Sequence, residues 1–139
     1  HPTEIRATLA AARQRYPGRR LWAVWQPHTF SRTRLLADEF ARSFDVADRV
    51  IALDIYRSRE AEDPDVSAAD VVGRMAHPQA IHIPERRAAA DYLLERVNPG
   101  DVILTLGAGD GDAVGRWLLD ELPRRRGVTK PGLPGQPAL

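Results

Sequence analysis

The residue types best suited to chemistry gather in the run Gln26-Pro27-His28-Thr29-Phe30-Ser31-Arg32-Thr33. It follows the apolar run Leu21 to Trp25, which predicts a buried strand. Pro27 breaks that strand, so the turn beyond it exposes His28 and Thr29. Ser31 is placed to cap a new helix that carries Arg32 and Arg34 in its first turn. A helix N-terminus already bears partial positive charge, so arginine is electrostatically misplaced there unless an anion docks beside it. A carboxylate or a phosphate would suit such a pair of guanidinium groups. A solvated turn with ordinary surface arginines fits the same residues.

Two other segments carry candidate groups. Asp54, Tyr56, Arg57, Arg59 and Glu60 follow the second apolar run, Val50 to Leu53. Asp54 could orient Arg59 or Arg32 through a bidentate ion pair, or could face a ligand directly. Gly107-Ala108-Gly109-Asp110-Gly111 follows the run Val102 to Leu106. Its G-x-G-x-G spacing falls short of the dinucleotide fingerprint, so a tight strand-to-helix turn is the favoured reading. No G-x-x-x-x-G-K-[ST] loop is present to cradle a triphosphate. His1, His28, His77 and His82 show no metal-ligand spacing, so no metal site is expected. Arg124-Arg125-Arg126 lacks the aromatic context of a nucleic-acid surface and reads as a solvated run.

These segments need a frame, and apolar periodicity supplies one. The 139 residues are one domain's worth, with an apolar share of 43%. A first helix opens at Pro2 or Thr3, with Ile5, Leu9, Ala12 and Tyr16 on one face, and stops at Pro17-Gly18. The second helix is expected from about Arg32 to Phe44, with Leu36, Phe40 and Phe44 inward. Ser67 with Asp70 forms a capping-box variant that starts a third helix, ending near His77-Pro78. Ala80 to Ile83 is a short strand. A fourth helix buries Ala90, Leu93, Leu94 and Val97, and a fifth shares Val114, Trp117, Leu118 and Leu122 on a face. Strand and helix alternate throughout, which predicts an α/β fold: one domain, a Rossmann-like, mostly parallel sheet with helices on both faces. In such sheets ligands bind beyond the C-terminal strand ends, where all three candidate segments fall.

Composition sets outer limits. Twenty basic residues, nineteen of them arginine, face nineteen acidic ones, a net charge of +1. That balance argues against a nucleic-acid or polyphosphate surface. No cysteine is available for disulfides, and no apolar run is long enough to span a membrane. A cytoplasmic protein is the default. The first residue is His1 rather than Met, so the chain is read as a piece of a longer protein or a processed product. From Pro123 onward periodicity is lost, and 123–139 reads as a disordered or appended tail.

The chain also resembles a family. Gln26 to Thr33 resembles the Q-P-H-x-[YF]-[ST]-R-T signature in the C-terminal domain of the Mur ligases that add L-alanine to UDP-N-acetylmuramate. His1-Pro2-Thr3-Glu4 resembles the end of that family's H-H-P-T-E motif. Leu53-Asp54-Ile55-Tyr56 with Ser58-Arg59-Glu60 resembles its L-D-[VI]-Y-x-[AS]-R-E segment, and Leu104 to Asp110 its L-T-x-G-A-G-D turn. The four pieces occur in the family's order and span about 1–122. The resemblance implies the amino-acid-binding, ATP-closing domain of a ligase in peptidoglycan synthesis, which works through an acyl phosphate and is inactive without its other domains. It implies that Arg32 binds the L-alanine carboxylate, that His28 and Thr29 line that pocket, and that His1 meets the nucleotide. Asp54, Tyr56, Arg59, Gly107, Gly109 and Asp110 would support the site, with no catalytic group in this domain. ATP and Mg2+ would be held mainly by a central domain, and UDP-N-acetylmuramate by other domains of the same polypeptide. A related murein-peptide ligase domain is one alternative, and a stand-alone nucleotide- or anion-binding module built on the Gly107 turn is another.

Overall fold

The computed structural model describes residues 1–125. Its elements alternate along the chain: α1 (Pro2–Arg15), β1 (Leu21–Trp25), α2 (Phe30–Leu35), α3 (Ala37–Ala41), β2 (Arg49–Ala52), α4 (Ala68–Arg74), β3 (Ala80–His82), α5 (Arg86–Arg96), β4 (Val102–Leu106) and α6 (Asp112–Arg125). The four strands form one sheet in the order β3-β2-β1-β4, and every pairing is parallel. The alternation read from the sequence is therefore the architecture observed.

Successive residues of a strand face opposite sides of a sheet, and β1 uses both. Leu21, Ala23 and Trp25 pack with α1, α3 and α4, where Trp25 lies 4.9 Å from the Phe40 ring and 5.2 Å from the Phe44 ring. Trp22 and Val24 pack on the other side with α5 and α6, against Leu93, Val114 and Leu118. All five β1 residues are buried, so the strand cannot bend or slip without opening two cores.

Several element ends differ from the sequence reading, each for a local reason. His1 caps α1 and Pro2 takes its first turn, with Glu4 closing a capping box. Tyr16 leaves the buried face of α1 and lies under the guanidinium groups of Arg15 and Arg19. Thr29, not Ser31, caps α2. The single helix expected over 32–44 is divided at Leu36, just beyond Thr33, whose hydroxyl donates back to the Thr29 carbonyl at 2.7 Å and bends the ladder. It ends early at Ala41, where the buried Ser43 hydroxyl donates to the Glu39 carbonyl at 2.6 Å, although Phe44 still fills the core. The Ser67–Asp70 capping box starts α4 as expected, but α4 stops at Arg74. His77 instead staples the following loop, with Nε2 2.7 Å from the Ala47 carbonyl. Helix α6 continues through Pro123 to Arg125, three residues into the segment read as a tail. Residues 126–139 of that segment lie outside the described residues.

The edge of the sheet opposite the candidate segments is tied by one carboxylate. Asp101 Oδ2 accepts from Arg20 Nη2 at 2.6 Å, Arg20 Nε at 3.1 Å, Trp22 Nε1 at 3.0 Å and the Asn98 N–H at 3.0 Å. Burial pushes this carboxyl up, but the bonds from Arg20, Asn98 and Trp22 outweigh it and hold it below the usual aspartate range. Replacing Asp101 with alanine removes the acceptor shared by four donors and should cost about 2–3 kcal/mol of unfolding free energy in urea. Because the folded carboxyl is held low, its contribution is present above about pH 4 and is lost as pH falls through the folded value. The gap between wild type and Asp101→Asn should therefore shrink in acid, and a gap that widened there would contradict this account.

Candidate functional site

Strands β1 and β4 are neighbours, yet their following helices leave toward opposite faces of the sheet: α2 and α3 on the α1 side, α6 on the α5 side. This topological switch point is where an open parallel sheet leaves a crevice at its C-terminal edge. Gln26 fills the base of that crevice, although it follows five apolar residues. Its backbone N–H continues the ladder to the Leu106 carbonyl at 2.9 Å. Its side chain donates from Nε2 to Asp110 Oδ1 at 3.0 Å and accepts from the Gly111 N–H at Oε1 at 2.8 Å. The glycine turn is moulded on this residue. A Cβ at Gly107, whose φ is +140°, would stand 2.5 Å from the Gln26 carbonyl oxygen, and one at Gly109 would stand 2.4 Å from Oε1 and 2.7 Å from Tyr56 Cγ. Close packing of the turn on Gln26 and Tyr56 explains its glycines.

On the α1 side of Gln26 lies an open pocket of about 360 Å³, lined among others by His1, Glu4, Thr8, Trp25, His28, Arg32, Phe40, Thr105 and Gly107. It brings together three ligand-contacting candidates from the sequence: His28, Arg32 and His1. The His1 ring accepts the Thr3 N–H at Nδ1 over 3.2 Å, which leaves Nε2 to face a ligand. The His28 ring stacks on Tyr56 at 5.7 Å, and the two backbones pair in a parallel bridge: Thr29 N–H to the Tyr56 carbonyl and Tyr56 N–H to the Pro27 carbonyl, each 2.8 Å. Arg32 is exposed, and among the described residues its guanidinium has no hydrogen-bond or carboxylate partner. Arg34 differs, being paired with Asp63.

The negative charge expected at the start of α2 is supplied from within. Glu60 Oε2 accepts the Ser31 N–H at 3.1 Å, and its other oxygen accepts the Ser31 hydroxyl. The Ser31 side-chain and backbone hydrogen bonds hold the Glu60 carboxyl below its usual range. Glu60 thus satisfies the helix end and leaves Arg32 free to face the pocket.

Other expected site residues lie elsewhere. Thr29 does not line the pocket; its hydroxyl turns to the Arg32 N–H at 3.4 Å as the cap of α2. Asp54 orients neither arginine: its Oδ1 lies 2.8 Å from His82 Nε2, where the ends of β2 and β3 meet. The exposed Arg59 forms no ion pair among the described residues, while Arg57 meets Glu62 at 3.6 Å. Tyr56 and Asp110 face a second groove on the α5 side, where Asp110 is 3.0 Å from Arg86. Sequence reasoning missed Gln26 as a wall, Glu60 as an internal anion, and Glu4 and Thr8 as pocket residues. The first two sit inside quoted motifs, and Glu4 and Thr8 are one helical turn apart on α1. No group of three His, Cys, Asp or Glu among the described residues could hold a metal ion.

Two backbone positions give tests of this geometry. Gly107→Ala forces a Cβ against backbone at positive φ and should cost about 2 kcal/mol or more, whereas Gly73→Ala, a helical site with open space, should gain about 0.5–1 kcal/mol. Equal melting temperatures for the two variants would refute the packing argument. Thr29 holds φ 65° and ψ 146°, a conformation a β-branched residue adopts only under constraint. Glycine still serves as an N-cap, so Thr29→Gly should raise stability by about 1 kcal/mol. A lower melting temperature would show the threonine to be unstrained.

Comparison with known proteins identifies the family. The family described as "Mur ligase, glutamate ligase domain" matches residues 1–109. The UDP-N-acetylmuramate–L-alanine ligase of Roseiflexus castenholzii is 46% identical over 119 residues, covering 86% of this chain and 25% of that protein. The protein of that name in Frankia casuarinae is 48% identical over 130 residues (88% and 26%), and that in Mycobacterium tuberculosis 43% over 138 residues (97% and 28%). The chain thus spans about a quarter of the length of the curated relatives it matches. Among solved structures, a murein peptide ligase from Psychrobacter arcticus superposes with a TM-score of 0.70 at 22% identity, over 88% of this chain and 25% of that one. The UDP-N-acetylmuramate-alanine ligase of Thermotoga maritima gives 0.65 at 21% identity, over 91% and 25%. At those identities the structures speak for the fold alone. The family match over residues 1–109, on a parallel sheet of this kind, establishes that the chain belongs to the Mur ligase C-terminal domain family.

Proposed function

We propose that this domain receives the amino acid in a ligase that joins L-alanine to UDP-N-acetylmuramate. One observation carries the reading: an exposed arginine without a partner among the described residues, Arg32, lines a pocket at the switch point of the sheet together with His28 and His1. In that pocket the Arg32 guanidinium takes the carboxylate of the amino acid through charge-assisted hydrogen bonds. His28, steadied by its stacking on Tyr56, adds an imidazole to the same wall. Trp25, Phe40 and Leu106 offer apolar surface suited to a small side chain. With the carboxylate fixed, the amine is left to attack an activated carboxyl group: a C–N bond forms, the C–O bond to phosphate breaks, and the amine gives up a proton. Positioning and the exclusion of water from a hydrolysable acyl phosphate are the contributions expected of a closing domain. ATP and Mg2+, which supply the activation, belong in this reading to the remainder of the polypeptide.

The alternatives have less support. A nucleotide module would need the glycine turn open, and Gln26 with Tyr56 occupies that space. The likeness to a murein peptide ligase rests on fold at 22% identity, whereas the relatives named as alanine ligases reach 43–48%.

The test is kinetic. In the full-length polypeptide Arg32→Ala should raise the L-alanine KM about 10- to 100-fold, a loss of about 1.5–3 kcal/mol. Arg32→Lys should restore only part of it, because a point charge cannot replace the planar fork. An L-alanine KM unchanged by Arg32→Ala would sink the assignment. The isolated domain should form no product with ATP, UDP-N-acetylmuramate and L-alanine.

A further inference from the structure

We propose that Gln26 is a positioning residue for the amino-acid pocket: it fixes the Gly107–Ala108 wall that faces Arg32 by clamping the turn from behind. This rests on the reading of the pocket given above. Gln26 lies between the pocket on the α1 side and the groove on the α5 side, and it lines both. It is 6% exposed, so its amide cannot trade protein partners for water. Both ends of that amide are committed, and their direction is forced. The Gly111 N–H can only donate, so it takes Oε1; the Asp110 carboxylate accepts, so it takes Nε2. Asp110 is in turn held on the far side by Arg86 at 3.0 Å. The clamp therefore runs from α5 through Asp110 and Gln26 to the turn.

The turn has little freedom to settle elsewhere. Gly107 follows the Gln26 carbonyl so closely that a Cβ would stand 2.5 Å from it, and Gly111 would place one 3.2 Å from Gln26 Cβ and from Oε1. Any shift of the Gln26 side chain moves Gly109 and Gly111 and drags the pocket wall with them. The sequence carries the same message: a polar residue follows a fully buried strand directly before Pro27, 84 residues from Asp110.

The experiment uses the full-length ligase and three variants. Gln26→Glu is isosteric, but it sets a carboxylate 3 Å from the Asp110 carboxylate in place of a donor. It should raise the L-alanine KM at least tenfold while kcat changes less than threefold, because nothing that touches the reacting atoms has been removed. The double variant Gln26→Glu/Asp110→Asn puts the donor on the other partner, so a hydrogen bond re-forms with reversed polarity while Gly111 keeps its acceptor. It should bring the L-alanine KM back to within about threefold of wild type. A residue with only a scaffold role would lower kcat and thermal stability together rather than raise the L-alanine KM selectively. An unchanged KM in Gln26→Glu overturns the inference, and so does a double variant no better than the single one. If neither variant folds, Gln26 is structural and the positioning role is overturned as well. Arg32→Ala run alongside separates the two claims. If Arg32→Ala raises KM and Gln26→Glu does not, the clamp alone is wrong; if Arg32→Ala leaves KM untouched, the pocket itself has been misread.

Discussion

A strand buried on both faces can end only where its backbone pairing can be handed on, and the candidate site hangs on where β1 ends. Its five residues are sealed between two helical layers and two neighbouring strands. The next residue, Gln26, still pairs its N–H with the Leu106 carbonyl, while its own carbonyl meets the Gly107 turn at a separation that only glycine allows. Pro27 then stops the ladder, and the chain must turn outward. The corner bearing His28 and Arg32 is therefore placed by the rigid part of the fold rather than by a loop free to wander. The His28–Tyr56 bridge and the Glu60–Ser31 bonds add two anchors from the segment after β2.

The described arginines are not equivalent as anion ligands. Arg13, Arg20, Arg34, Arg74, Arg86 and Arg87 each face a carboxylate, and several also cap backbone carbonyls. Their charge is spent, and drawing one of them to a ligand would mean breaking an existing pair. Arg32 has no such partner among the described residues, because the two carboxylates that meet its helix, Glu60 and Asp63, are already committed to Ser31 and Arg34. An overall charge near zero is thus compatible with a local anion site: what matters is that an unpaired guanidinium, Arg32, lines the pocket, not the sum of charges.

The parallel sheet, the order of its elements and the gathering of the three candidate segments at one sheet edge were legible because alternating apolar runs leave few arrangements open. The Ser67–Asp70 capping box was legible because its partners are three residues apart. What stayed hidden is what depends on distant neighbours. Asp54 meets His82 because β2 and β3 lie side by side, a pairing that no spacing within the 54–60 segment encodes. Thr29 displaces Ser31 as the cap because Tyr56 holds the Thr29 N–H and sets that residue at positive φ. Gln26 reads as the first letter of a motif, and its role appears only when Asp110 and Gly111 arrive from the far end of the chain. Local rules place elements, and long-range hydrogen bonds then decide which polar residues remain available for a ligand.

On the proposed reading, the openness of the Arg32 pocket gives the other domains of a ligase a physical role. A carboxylate 4 Å from a guanidinium gains only about 1 kcal/mol in water, and several times that once solvent is displaced from around the pair. The pocket wall formed by β1, β4 and the α2 corner is rigid, but its mouth is uncovered over the described residues. On the proposed reading, the amino acid is held weakly at this corner until another part of the polypeptide covers it. The same covering then strengthens the Arg32 contact and shields the acyl phosphate from water. Recognition and protection become one event, in which the binding energy of a small amino acid helps draw the lid shut. Such coupling suits a substrate with few atoms, because the carboxylate is its one strong handle, and that handle strengthens only when the site closes.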